Sequence, residues 1–496
     1  MAWFGKSKEQ EKLTFQAFID ILGANNQDVV IREINVSGDP RFKAHICFVD
    51  GLVNYQALSE SVLKPFQQEM VFDEIKDPHE LLTTMLEGAV YHTFAKRRST
   101  MDDILTDVLG GSMALFLEKV TDEVLTFEAR SFPTRSVEQP SDENVLKGSK
   151  SGFVESIRSN TVQIRRKIQS PNLRLEAGKI GQRTHTSLVI CYIEGLTNPK
   201  LVQTVRERLA AIDVDGVLTT AVIEENIVEH KYLPFPQVMI TERPDNFCGK
   251  LLDGQVGIII DELPTAFIVP GTMTQFIRAP EDYANNFWIA SMIILLRYLA
   301  IFVTLLFPAF YIALTTFHQE MIPTELAISI MKSKMGVPFP SFAEVILMLL
   351  AFDMLMEAGL RLPQNMGQTV SIVGALIVGQ AAVDAQIVSP AMVIVIATTA
   401  ITSFVIPNQD FTNALRLWRF IFVVLASLGG LMLLFFGVLV LFYILCTVES
   451  FGVPYLSPYV AANSEEIIPD TMIRLPIWMQ KFRPRAFNAQ DKRKQK

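Results

Sequence analysis

Five long apolar runs fall close together towards the C-terminal end of this chain, at about 287–317, 341–360, 369–387, 390–407 and 417–447. A helix needs roughly 20 apolar residues to cross the hydrocarbon core of a bilayer. A water-soluble domain does not collect five such runs side by side, so their spacing predicts an integral membrane protein. Half of the 496 residues are hydrophobic and only 19% are charged, and the apolar excess sits in these runs. Residues 1 to about 285 instead carry charge in every block of ten and read as soluble α/β material. The opening stretch "MAWFGKSKEQEKLTFQ" lacks the apolar core and small-residue cleavage site of a secretory signal. The expectation is a cytoplasmic N-terminal half, with the first apolar run as an uncleaved anchor.

The soluble half contains a repeat. "AHICFVDGLVNYQALSESVLKPF" from Ala44 and "TSLVICYIEGLTNPKLVQTVRERL" from Thr186 align through Phe48–Asn54 and Tyr192–Asn198, with Cys47 against Cys191. Each is an apolar run, a turn with an acidic residue before Gly, then an amphipathic helix. The upstream "VVIREINVSG" and "NLRLEAGKIG" each read as a strand. Two related α/β modules are expected, at about 30–130 and 150–275, joined by the linker "SFPTRSVEQPSDENVLKGSKSG". The expected divisions are 1–145 for the first cytosolic module with its linker, 146–285 for the second, 286–448 for a helical membrane domain, and 449–496 for a basic tail. The fold class is thus a soluble α/β N-terminal region of two related modules plus an α-helical polytopic membrane domain.

No GxxxxGK[ST], GxSxG, HExxH or strand-bound GxGxxG occurs, and the six histidines have no ligand-like spacing. The four cysteines form no CxxC pair and read as buried thiols in a reducing compartment. Asp50 and Glu194 sit in turns, where a structural role is expected. The reading is no enzyme, no cofactor and no metal. Arg165, Arg166 and Lys167 form a basic run too short for a nucleic-acid patch, so they read as a solvated surface.

In the membrane half, Arg297 interrupts the first run. One reading is a buried cation; the other puts it at the interface, snorkelling to the headgroups, with a span from Tyr298 to Phe317 kinked at Pro308. The third run places Ser371, Ala375 and Gly379 at four-residue spacing, a small-residue face for helix packing. The fifth run is about 30 residues long and must tilt, bend near Gly429-Gly430 or extend beyond the bilayer. The tail "IRLPIWMQKFRPRAFNAQDKRKQK" has eight Lys or Arg and one acid, which favours the cytoplasmic side. With both ends inside, the number of crossings is even, and five runs do not fit; a re-entrant second run is one resolution. Treating that run as a full span puts Arg361, Arg416 and Arg419 inside but sends the tail outside. The sequence leaves this open.

The second run carries Glu344, Asp353, Glu357 and Arg361. On the helical period the last three share a stripe about 80° wide, with Glu344 well away from it. Lipid exposure of three ionised groups would cost about 8–10 kcal/mol on insertion scales. Either Glu357 and Arg361 pair within the helix at the membrane edge, or these residues line an ion path or a contact between subunits.

The stretch "MEAGLRLPQNMGQTVSIVGALIVGQAAVDAQIVSP", with "PFPQVMITERPD", "LLDGQVGIIIDELP", "RAPEDY", the "YIEGLTNP" repeat and the tail "FRPRAFNAQDKRKQK", resembles the A-subunit family of GerA-type spore germinant receptors over nearly the whole chain. The resemblance implies the spore inner membrane, a cytoplasmic N-terminal region, a transporter-like B subunit and a lipoprotein C subunit as partners, and membrane lipid. It also implies homo-oligomers forming a ligand-gated cation channel that starts germination. One departure is Met356, where the family often has a basic residue; Asp353 and Glu357 are the less neutralised for it. The paralogous stage V sporulation AF-type group shares the architecture and is the second reading. A secondary transporter would call for inverted repeats in the membrane half, whereas the repeat lies in the soluble half. The nutrient, the copy number and the ion are not written in the sequence.

Overall fold

The computed structural model describes residues 13–23, 26–36, 42–68, 75, 77–90, 95–130, 148–361, 379–460 and 471–495. The chain divides into two compact units. One comprises Met1–Val228, Ile240–Pro270 and Lys481–Lys496; the other comprises Glu229–Met239 and Gly271–Gln480. Most of the expected Pro- and Ser-rich linker, at 131–147, lies outside the described residues.

The first unit holds two five-stranded sheets. Strands β1 (Val29–Asn35), β2 (Lys43–Val49), β3 (Ala95–Arg98), β4 (Ser112–Leu117) and β5 (Val124–Glu128) lie in the order β1-β2-β4-β5-β3. Strands β6 (Leu173–Ile180), β7 (Thr186–Ile193), β8 (Met239–Thr241), β9 (Val256–Ile260) and β10 (Ala266–Val269) lie in the order β6-β7-β9-β10-β8. By rank within each module the two orders are one and the same. Helices α1 (Phe15–Leu22) and α2 (Met101–Leu109) pack in the first module, and α3 (Ile157–Lys167), α4 (Pro199–Ala210) and α5 (Pro244–Leu252) belong to the second stretch.

The repeated motif explains the repeated path. Gly51 (φ +78°) and Gly195 (φ +75°) take the left-handed turn that a side chain resists. Asn54 then accepts the Ala57 N–H at 3.1 Å, and Asn198 the Lys200 N–H at 3.0 Å, so each turn ends in a capped helix. The acidic residues before these glycines donate their own N–H groups, Asp50 to the Asp28 carbonyl (2.6 Å) and Glu194 to that of Asn172 (2.8 Å). Buried Phe18, Phe66, Phe116 and Phe127 fill the first core, with Phe247 and Phe267 in the second module. Burial, aided by Asp28, pushes the Cys47 thiol up to about 12, and burial does the same for Cys248, which makes both inert apolar filler.

Helix α3 fastens the modules together. Val162 is part of the first module's core. Arg165 is fully buried: Nε and Nη2 reach Asp28 at 2.8 and 2.9 Å, and Nη1 donates to the Leu173 carbonyl at 3.2 Å. This corrects the solvated reading of the basic run, since one of its three cations is an internal fastener.

The second unit is helical: α6 (Phe287–Thr316), α7 (Thr324–Lys334), α8 (Ser341–Arg361), α9 (Pro390–Val405) and α10 (Gln409–Thr447). Asn286 caps α6 by accepting the Trp288 N–H, and the helix runs through Pro308. Arg297 does not snorkel. It is 7% exposed, pairs with Asp282 and donates to the Ile277 carbonyl. The interfacial reading fails because Asp282, just before the helix, supplies a buried counter-charge.

Helix α10 is broken at Gly429 (φ −150°, ψ 23°) and Gly430 (φ 60°, ψ −144°). A Cβ on Gly437 would lie 2.5 Å from Leu425 and 3.2 Å from Phe422. On one straight helix residues 425 and 437 stand roughly 18 Å apart, so the segment doubles back into two antiparallel arms, 409–428 and 431–447. Of the three options read from the sequence the bend is the one taken, and it is a full reversal. The second arm buries Leu434, Gly437, Leu441 and Leu445, while Met432, Phe435, Phe436 and Tyr443 stay exposed.

Contacts within this unit fix the direction of each helix. The bend meets the C-terminal end of α6, because a Cβ on Gly430 would touch Phe317 and His318. Phe411, at the start of the first arm, stacks on Phe276, just before α6. Ile444 and Thr447, at the end of the second arm, share an open cleft of 460 Å³ with residues 229–233. Thr304 donates to Thr402 at 2.9 Å, and these two residues lie equally far from the end of α6 and the start of α9. Lys334 lies over the Tyr311 ring near the end of α6 and beside Glu344, which binds Ser389 at the start of α9, so helices α6 and α9 are antiparallel.

Candidate ion path in the helical unit

The charges of α8 are handled in different ways along its length. Glu344, in the first turn, is 1% exposed. Its Oε2 accepts the Ser389 N–H at 2.9 Å, and Lys334 Nζ stands 3.8 Å from Oε1. Pro390 follows as the first residue of α9, and the Ser389 side chain does not cap that helix. Glu344 thus supplies from a neighbouring helix the negative charge that an N-terminus favours. Lys334 also donates to Ser341, and burial pulls its ammonium below the ordinary value against the opposing field of Glu344.

Asp353 faces the first arm of α10. Arg419 Nη2 lies 3.3 Å from Oδ1 and 3.5 Å from Oδ2, and Arg416 Nε lies 3.4 Å from Oδ1. Arg419 is buried and its Nε has no hydrogen-bond partner, whereas Arg416 is part-exposed. One carboxylate therefore serves two guanidinium groups across two helices. Glu357, one turn further along α8, is exposed on the unit's surface. Arg361 ends the helix; its side chain lies outside the described residues, and so does the proposed Glu357–Arg361 pair. Ser371 and Ala375 also lie outside them. Gly379 is buried, and a Cβ there would stand 3.3 Å from Val393 Cγ1 on α9.

The sequence stripe of Asp353, Glu357 and Arg361 is thus divided: Asp353 turns to α10, and Glu357 to the surface. Glu344 serves a different junction. The sequence reading used Arg416 and Arg419 for topology and missed them as partners of Asp353. The signal was present, since a cation inside an apolar run needs a counter-charge and the acids of α8 are the nearest candidates in type. The arrangement is electrostatic. Among the described residues no group of three or more His, Cys, Asp or Glu side chains is placed to hold a metal.

Comparison with known proteins matches residues 16–486 to the family described as Bacillus/Clostridium GerA spore germination protein. The chain is 39% identical over 471 residues to spore germination protein KA of Bacillus subtilis (strain 168), covering 95% of this chain and 86% of that one. It is 35% identical over 470 residues to the uncharacterized membrane protein YfkQ of the same organism, covering 95% and 90%. Among solved structures, the N-terminal domain of the A subunit of the Bacillus megaterium spore germinant receptor GerK3 aligns at 26% identity with a TM-score of 0.42, over 53% of this chain and 97% of that one.

Proposed function

Because the chain belongs to the GerA family of spore germination proteins, we propose that it is the A subunit of a nutrient germinant receptor in the spore inner membrane. In this reading it works with a transporter-like B subunit and a lipoprotein C subunit, and several copies assemble into a cation channel that opens when nutrient is sensed. No catalytic step is part of the proposal.

The reading includes six membrane crossings: α6, α8, the apolar stretch 369–387, α9 and the two arms of α10. Two of these helices, α6 and α10, are long and apolar enough to cross by composition alone, and the α10 arms are about 30 and about 26 Å long at 1.5 Å per residue. Six is even. Residues 481–496 group with both α/β modules, which supports a chain that leaves and returns on one side. The reversal at Gly429-Gly430 supplies the crossing that a count of five runs lacks. It keeps Arg361, Arg416, Arg419 and the basic tail together on the cytoplasmic side, as the charge rule favours.

The observation that carries the channel reading is Glu357. It is exposed on α8, one turn beyond Asp353. An ionised group facing lipid costs roughly 2.5–3.5 kcal/mol, so this face of α8 is turned to water or to another copy. A ring of such acids attracts cations. Glu357→Gln keeps the volume and removes the charge. Normalised to the amount of chain in the membrane, its cation flux in reconstituted bilayers or from germinating spores should fall or lose cation preference. Unchanged flux and selectivity would sink the assignment. Glu344→Gln is the internal control; it should lower protein level and leave flux per complex unchanged.

A further inference from the structure

The two modules match turn for turn, and the match brings out one difference. Gly111 (φ +97°) and Gly254 (φ +96°) occupy equivalent turns before β4 and β9. A Cβ on each would face the carbonyl of the equivalent leucine, Leu52 at 3.0 Å and Leu196 at 3.8 Å. In the first module the chain leaving β5 covers this pair of turns. Asn54 donates its N–H to the Ala129 carbonyl at 2.8 Å, Val53 bridges to Arg130, and the Arg130 stem lies 3.2 Å from a Cβ on Gly111.

In the second module the chain leaving β10 departs at Gly271 into the helical unit. The tail returns and takes the vacated place. Gln490 donates its N–H to the Leu196 carbonyl at 2.8 Å, and Ala489 Cβ lies 3.0 Å from a Cβ on Gly254. Arg483 Nε donates to the Leu252 carbonyl at 2.8 Å, and Lys494 pairs with Asp253 at 2.7 Å. Phe487 and Ala489 are buried, and the Phe482–Arg493 bridge shapes the segment into a small loop.

We propose that residues 482–494 are a strap that completes the second module at the Leu196 and Gly254 turns, and that its docking is coupled to the response of the membrane unit whose entry and return the module brackets. The docking is built from one apolar anchor, two carbonyl contacts and one ion pair. The ion pair is part-exposed and individually weak, so the strap can be released without unfolding the module.

The test uses the full chain in membranes, with epitope tags at both ends. Trypsin should remove the C-terminal tag slowly from the natural chain. Lys494→Glu and Asp253→Lys should each speed the loss severalfold, and the double swap should return to within about twofold of the natural rate. Phe487→Asp should free the tail outright and lower nutrient-triggered ion flux per chain, and the swapped double should keep that flux. Equal tag loss in all chains overturns the docking, and so does a double swap no better than either single. A freed tail with unchanged flux overturns the coupling. The flux arm rests on the channel reading above and the proteolysis arm does not: absent flux in the natural chain with the swap pattern intact counts against the channel and leaves the strap standing. If Phe487→Asp lowers the chain level, the charge swap still decides docking and coupling.

Discussion

Two buried arginines, one in each unit, are held in opposite ways. Arg165 has a partner on every side-chain nitrogen: the Asp28 carboxylate takes Nε and Nη2 at 2.8 and 2.9 Å, and backbone carbonyls take Nη1. Arg419 reaches Asp353 with Nη2 alone, at 3.3 and 3.5 Å; its Nε is orphaned, and Arg416 shares the same carboxylate at 3.4 Å. The first is a fastener between modules, since bidentate charged hydrogen bonds are the short, strong ones. The second spreads one anion over two cations, so either contact can change without stranding Asp353.

The largest expected effect breaks this contrast if it fails. Arg165→Met leaves Asp28 buried with no guanidinium and should destabilise the soluble unit by about 3–5 kcal/mol. Arg419→Met should cost about 1 kcal/mol or less, because Asp353 keeps Arg416 and a buried unpaired Nε disappears. Hydrogen exchange on the detergent-solubilised chain, read at α3 and β1 for the first variant and at α8 for the second, checks both. Equal loss of protection in the two variants would show that the looser geometry is no looser in energy.

Close backbone contact sharpens the comparison next. A Cβ on Gly379 would stand 3.3 Å from Val393 Cγ1, tight but accommodable, and a larger side chain has no such room. Gly379→Leu should overpack the contact with α9 by about 1–3 kcal/mol, lowering the yield of assembled chain, while Gly379→Ala should be mild. A leucine variant with natural yield and natural nutrient response would remove the small-face argument.

The repeat was legible because its turns are chemical. Asp-Gly or Glu-Gly followed by a capping Asn names a left-handed turn and a helix start, and both sheets follow that path. Gly429-Gly430 suggested a bend, and only the meeting of Gly437 with Leu425 and Phe422 distinguishes a bend from a reversal. The stripe on α8 showed that charge had to be answered, without showing by what. Helical period assigns residues to a face but does not say which neighbour that face meets. So the pairing of Asp353 with Arg416 and Arg419, and of Arg165 with Asp28 far along the chain, had no local signature. The docked tail was hidden for the same reason, since its basic composition fits a cytoplasmic flank and a strap equally well.

The smallest expected effect asks whether charges in the soluble unit act as fasteners generally. Asp107 accepts two hydrogen bonds from Arg98, at 2.7 and 3.1 Å, and one from Thr126 at 2.7 Å. Burial alone would raise its carboxyl; the Arg98 and Thr126 bonds outweigh that and hold it below the ordinary carboxylate value. A carboxyl depressed on folding contributes stability that is fully present above the unfolded value, near pH 4, and is lost as pH falls through the folded one. Asp107→Asn should therefore lower stability by about 1 kcal/mol at pH 7. The difference from the natural chain should shrink towards zero as the pH falls below about 3. Denaturant midpoints across that range, followed by hydrogen exchange in α2 and β5, give the slope. A difference independent of pH would mean that Asp107 contributes shape and hydrogen bonding but no charge. The fastener reading would then be confined to the Arg165–Asp28 pair, which is bidentate and buried.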